Sequence, residues 1–325
     1  MALALTPWLG VRAARAQNEF DPAITSSRQA LRVLLGEGDA TAVSADSFTF
    51  EGRLYRGNFQ RDATGSVVNF VDLEQYLYSV VSREMPASWP SFALQAQSIC
   101  ARTYVLERSD PRRGYDLVPS ELDQVYEGIS GETPAGTAAV GSTSGEVISF
   151  ESVFAQVAYS SCCGGHTESS ADLWGNAALP YLSGVTCGWC TESPSYRWQR
   201  SLSFETLAQR LASGQPELGT VLDLRIDARD SSGRARTLEL VTGGGSLSVA
   251  GSAFRRAVGS RVLPSLLLTG ITRLPDGSGV LIEGGGLGHG VGLCQWGARG
   301  MARAGRLASQ ILAFYLPRTD IRNLS

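Results

Sequence analysis

Histidine is nearly absent from this 325-residue chain: His166 and His289 are the only two. Two histidines and no HExxH exclude a histidine-rich catalytic metal site. No GxSxG elbow precedes either one, so a serine triad has no support. No apolar run reaches the ~20 residues that a bilayer span requires, and no integral membrane segment is expected beyond a signal or anchor at the N-terminus. Basic runs are missing too. The 28 basic residues are scattered among 31 acidic ones, giving a formal net charge of −3. Nucleic acid is therefore not an expected partner.

Glycine, by contrast, is plentiful at 37 residues, which points to tight turns and close backbone approaches. A hydrophobic share of 43% and a charged share of 18% are those of a soluble globular protein. The first residues, MALALTPWLGVRAARAQNEF, are a short apolar stretch followed by Ala14-Arg15-Ala16. That pattern is similar to the tail of a secretory signal with a small-x-small cleavage site. Residues 1–28 are read as leader and linker, and export is expected.

Short apolar runs at residues 31–35, 48–50 and 67–71, separated by turn signals, predict a small β region. VDLEQYLYSVVSREM carries helical periodicity, with Asp72 as N-cap and Met85-Pro86 as its end. A second helix is predicted from Pro90 through SFALQAQSICARTYVLER, with Cys100 in its small-residue face. EVISF and FAQVAYSS read as strands, residues 204–213 as a short helix, and VLDLRIDARDSSGRARTLELVT as a hairpin turning at Asp230–Gly233. Strands are predicted at 262–269 and 279–283, and a helix ending near Gly305. The fold class is α+β: one compact mixed domain over 29–325, helices packed on antiparallel strands, with an inserted β-rich region at 198–283.

Three segments carry the chemistry. They are LEQYLYSVVSREMPASWPSFALQAQSICARTYVL (73–106), YSSCCGGHTESSADLWGNAALPYLSGV (159–185) and GGGLGHGVGLCQWGARGMARAGRLASQILAFYLPRTDI (284–321). In this order they resemble the stage II sporulation protein D / amidase-enhancer (SpoIID/LytB) family. The resemblance implies a peptidoglycan lytic transglycosylase of the bacterial periplasm or cell-wall face. Such an enzyme cuts between N-acetylmuramic acid and N-acetylglucosamine and leaves a 1,6-anhydro sugar. Its substrate would be glycan strands, in some members already stripped of peptide. Other members are amidase enhancers, which makes a cell-wall amidase an alternative partner.

The resemblance places the catalytic glutamate at Glu84, in Glu84-Met85-Pro86. Chemistry agrees, because glycoside cleavage needs a carboxylic acid to protonate the leaving oxygen. When the muramic acid 6-hydroxyl is the nucleophile, one carboxyl can act first as acid and then as base. Arg102 matches the arginine of the family's ARTY motif, with a substrate or positioning role on one reading and a structural ion pair on the other. Gly164 and Gly165 fall in the family's Ser-Gly-Gly loop, whose serine is Cys163 here. Tyr181, in the family's PYL motif, His289 and Gln295 are further expected substrate contacts, with Trp296 beside them; packing is the other reading for Tyr181, and a satisfied histidine holding its loop the other for His289.

Six cysteines remain to be placed. Cys163-x-x-His166 and Cys187-x-x-Cys190 have the spacing of two ligand doublets for a structural tetrahedral zinc. Cys162 and Cys294 would then pair, or Cys162 would stand in for Cys163. Disulfides throughout, with His166 left to touch sugar, are the other outcome in an oxidising compartment.

Overall fold

The structure, a computed structural model, describes residues 30–120, 122–212 and 219–324. The leader and linker expected over residues 1–28 lie outside the described residues. The fold is mixed α and β, with the strands grouped in small sheets. Its packing divides into two compact units.

Among the described residues, one unit holds 30–158, Met301–Ala313 and 318–324. It begins with β1 (Leu31–Gly36), β2 (Ala40–Ser44), β3 (Ser47–Phe50), β4 (Arg53–Arg56), β5 (Asn58–Arg61) and β6 (Val67–Val71). β6 lies between β1 and β5, while β2, β3 and β4 form an antiparallel meander. Alternation along β3 turns Phe48 and Phe50 inward, where they meet Tyr55.

Helix α1 (Leu73–Glu84) starts where Asp72 accepts from the amides of Glu74 and Gln75 at 3.0 and 3.2 Å. It stops at Met85, which is extended ahead of Pro86. Helix α2 (Ser91–Arg108) is buried over most of its circumference, Cys100 included. Such all-round burial marks it as the centre of this unit. Helix α3 (Pro134–Ser142), β7 (Glu146–Phe150) and β8 (Val153–Phe154) follow.

The other unit comprises Tyr159–Gly300 and Phe314–Pro317. Its elements are β9 (Tyr159–Ser160), α4 (Ser170–Trp174), β10 (Trp198–Ser203), α5 (Phe204–Ala212), β11 (Val221–Arg229), β12 (Ala235–Thr242), β13 (Gly245–Ala250), α6 (Gly251–Val258), β14 (Leu267–Arg273), β15 (Gly279–Gly285) and β16 (Leu293–Cys294). The sheets β10–β15–β14 and β11–β12–β13 are antiparallel, while β16 pairs with β9 in parallel. Residues 198–282 have a hydrophobic core of their own, with Leu207, Leu238, Phe254 and Leu268 inside it. Each such side chain contributes about 1.5–3 kcal/mol on burial.

Helix α7 (Gln295–Arg303) and helix α8 (Ala308–Tyr315) lead to β17 (Asp320–Asn323), which pairs with β7. No helix among the described residues is long and apolar enough to cross a membrane.

Two strand expectations change. FAQVAYSS does not run as one strand: β8 and β9 are separate, and residues 155–158 between them are irregular. The strand expected from 262 begins at Leu267, because the amides of Val262 and Leu263 close a turn on Gly259 and Pro264 has no amide to give a ladder.

Candidate functional site

Glu84 is the last residue of α1 and is half-buried. The Val125 amide donates to its Oε1 at 3.4 Å. Two turns back along the same helix, Tyr76 is fully buried. Its phenol is held well above the ordinary value by burial first, then by Asp123, Tyr126, Tyr104 and Glu84. The segment that supplies Val125 is tied to both helices: the Glu127 amide donates to Ser79 Oγ at 3.1 Å, and Gln124 Nε2 to the Ala101 carbonyl at 3.3 Å. Val125 was not legible in the sequence, because a backbone donor carries no side-chain signature.

Arg102 is buried rather than presented to solvent. Its side chain is 1% exposed, its Nε and Nη2 donate to Glu74 at 2.6 and 2.7 Å, and Nη1 donates to the Glu146 carbonyl at 3.0 Å. The guanidinium fork thus ties α2 to the first turn of α1, which is the structural ion pair.

The second constellation belongs to the other compact unit. The Sγ atoms of Cys163, Cys187, Cys190 and Cys294 all lie within 4.8 Å of one another and are buried. Cys163 and Cys190 are 3.6 Å apart. A tetrahedral zinc with Zn–S arms of about 2.3 Å has S–S edges of about 3.8 Å, so the four sulfurs fit that ion. The surroundings suit thiolates. The amides of Cys163 and Gly297 point at Cys294 Sγ, at 3.2 and 3.4 Å, and Tyr315 Oη lies 3.1 Å from Cys187 Sγ. Hydrogen bonds from the other three thiols hold Cys187 far below the ordinary thiol value, whereas burial pushes Cys294 up.

The structure thus exchanges two expected roles. Cys294 completes the sulfur set, and His166 stays outside it, its Nδ1 bound 2.7 Å from the Thr167 carbonyl. Nδ1 therefore donates to that carbonyl, and the ring is half-buried. All six cysteines are unpaired thiols, Cys162 included.

Gly164 and Gly165 both have left-handed backbone, φ +74° and +115°. A Cβ on Gly164 would sit 2.9 Å from the Gly285 and Gly286 backbone, so a close strand approach requires glycine there. Tyr181 and Gln295 are buried rather than presented to solvent. Trp296 is half-buried under the Arg299 guanidinium.

His289 is also fully engaged. Its Nε2 lies 2.8 Å from the Tyr159 carbonyl, and its Nδ1 accepts the Val291 amide at 3.0 Å. Burial lowers its pKa to about 4, against a smaller upward pull from the Tyr159 carbonyl. It holds the loop in the neutral form.

A buried polar network was invisible in the sequence, since Arg234 sits in what reads as an exposed hairpin turn. Arg234 and Glu168 are 2% and 1% exposed, and their Nε–Oε2 separation is 3.7 Å. Ser232 Oγ lies 2.9 Å from Glu168 Oε2, 2.7 Å from Asp230 Oδ1 and 2.9 Å from Arg234 Nη1. One hydroxyl proton cannot serve two carboxylates, so a proton on Glu168 satisfies the set. Burial accordingly raises the Glu168 pKa to about 7, with Arg234 opposing.

Comparison with known proteins matches these features to a family. A family model described as stage II sporulation protein matches residues 61–150, and one described as a domain of unknown function (DUF8618) matches residues 188–292. An uncharacterized protein of Brachyspira hyodysenteriae is 32% identical over 282 residues, covering 85% of this chain and 74% of that one. The amidase enhancer of Bacillus subtilis is 31% identical over 292 residues, 75% of this chain and 40% of that protein. Stage II sporulation protein D of Bacillus amyloliquefaciens is 30% identical over 281 residues, 80% of this chain and 77% of that one. On the strength of that identity and coverage, the chain belongs to the stage II sporulation protein D / amidase enhancer family.

Proposed function

We propose that this protein is a lytic transglycosylase acting outside the cytoplasm on peptide-stripped peptidoglycan glycan strands, with Glu84 as its single acid/base residue. The carrying observation is the setting of that carboxyl in a member of this family. Glu84 closes α1, is half-buried, and its Oε1 accepts the Val125 amide at 3.4 Å.

In the reaction, Glu84 protonates the glycosidic oxygen as the bond to the muramic acid anomeric carbon breaks. The muramic acid 6-hydroxyl then bonds to that carbon and returns its proton to Glu84. No water is consumed, and the ring closes as the 1,6-anhydro product. A zinc ion held by Cys163, Cys187, Cys190 and Cys294 would have four protein ligands and supply structure, with no open position for substrate.

Glu84→Gln should reduce release of anhydro-muramic ends from purified glycan by at least about 10²-fold, the usual scale for losing a general acid. Undiminished release would refute the reading. The similarity to an amidase enhancer supports a second reading, a non-catalytic partner of a cell-wall amidase. Amidase stimulation without any glycan cleavage by the protein alone would establish that reading instead.

A further inference from the structure

The loop Cys163–His166 has an unusual property: every one of its four carbonyls is bound. Arg234 Nη2 donates to the Cys163 carbonyl at 2.8 Å, and Arg234 Nη1 to the His166 carbonyl at 3.1 Å. Arg197 Nη1 donates to the Gly164 carbonyl at 2.8 Å, and the Cys187 amide to the Gly165 carbonyl at 2.8 Å. Three of the four donors are arginine nitrogens from the stretch 188–292, which matches a domain of unknown function. The fork of Arg234 therefore spans the left-handed Gly164-Gly165 pair and fixes both of its ends.

The support for that fork is equally specific. Its charge is buried beside Glu168, and the hairpin turn before it is held by Asp230, whose Oδ1 accepts the Arg234 amide at 2.9 Å. The GHG loop makes room for it: a Cβ on Gly290 would lie 2.3 Å from Arg234 Nη2. Its Nη1 and Nη2 are the directed donors, while Nε faces Glu168 Oε2 at 3.7 Å without a hydrogen bond.

We propose that Arg234 is a positioning residue, through which the 188–292 region sets the Cys163–His166 loop so that Cys163 meets its three partner thiols and the His166 ring presents Nε2 to a polar group of the glycan. The second half rests on the transglycosylase reading; the first does not. The stretch of unknown function thereby acquires a role, that of building the metal loop from behind.

The test uses the full chain loaded with zinc alone, and follows release to a chromogenic chelator beside the thermal melt. Arg234→Lys keeps the charge and loses the fork. Arg234→Met with Glu168→Gln removes the buried cation and leaves no ionisable carboxyl beside the gap. Each should release zinc at least about 10-fold faster than the parent, the scale of losing a second-shell partner. Should the double variant fail to fold, Arg234→Lys decides. Release within twofold of the parent, even with a lowered melting temperature, would make Arg234 merely structural and overturn the proposal, as would a parent that takes up no zinc. His166→Gln should release zinc at the parent rate and bind peptide-stripped glycan at least about 10-fold more weakly, the cost of one unpaired polar contact. Fast zinc release from His166→Gln, or unchanged glycan binding, would overturn the second half. No readout depends on cleavage, so a failure at Glu84 is recognised separately.

Discussion

Lowering the pH should unlatch the GHG loop, and His289 sets the size of the effect. Its Nδ1 accepts the Val291 amide, so a proton added there would set one donor against another. The folded-state pKa is about 4 against an ordinary 6.5. The sign follows from proton counts: between those values the unfolded chain binds the extra proton and the folded chain does not. The stability contributed by neutral His289 is therefore complete above about pH 6.5 and is lost as pH falls toward 4. The gap between 6.5 and about 4 corresponds to about 3 kcal/mol, reduced to roughly 2–3 because solvent reaches the half-buried ring. Urea unfolding followed by tryptophan fluorescence at pH 7 and pH 4.5 measures this in the parent and in His289→Gln, which cannot titrate. The parent should lose about 2 kcal/mol more than the variant between those pH values. Equal losses in both, within about 0.5 kcal/mol, would refute the latch.

Other expectations are as definite. Glu168 has the opposite sign: a pKa raised from 4.5 to about 7 contributes stability that is full below pH 4.5 and is lost as pH rises through 7, so Glu168→Gln should flatten that slope in the same urea series. Arg102→Met should cost about 2–3 kcal/mol in denaturant melts, less than a fully buried pair because Glu74 retains water, with the KM for glycan unchanged; a raised KM at unaltered stability would restore a substrate role. Cys294→Ser should abolish stoichiometric zinc uptake measured by elemental analysis, and full retention would remove Cys294 from the ligand set. Gly297→Ala should do the same through packing, since its Cβ would fall 1.8 Å from Tyr315 Oη and 3.1 Å from Cys187 Sγ; calorimetry of zinc binding would detect it.

Much of the local structure was legible in sequence, and the reasons are local. Asp72 and Met85-Pro86 bound α1 through cap and steric effects that act within a few residues. The hairpin turning at Asp230–Gly233 announces itself by alternation and turn chemistry. Site assignments fared differently wherever they depended on long-range contact. The doublet spacing identifies Cys163, Cys187 and Cys190, but the fourth sulfur comes from Cys294, more than a hundred residues further on, which no spacing rule reaches. Arg102 sits in an apolar helical stretch and Arg234 just past a hairpin turn, and neither setting announces its partner. One clamps two helices and the other clamps a loop, and only the positions of Glu74 and of the Cys163 and His166 carbonyls separate them.

The pairing of β17 with β7 has a consequence in time. Residues 146–150 leave synthesis long before 320–323, yet the sheet they share needs both. The other unit likewise draws Tyr315 from near the chain's end to Cys187. Neither unit is a contiguous piece of chain, so no single cut separates two foldable halves. Both units draw on residues beyond 300, so neither is complete until that stretch has been made and has reached β7 in one and Cys187 in the other.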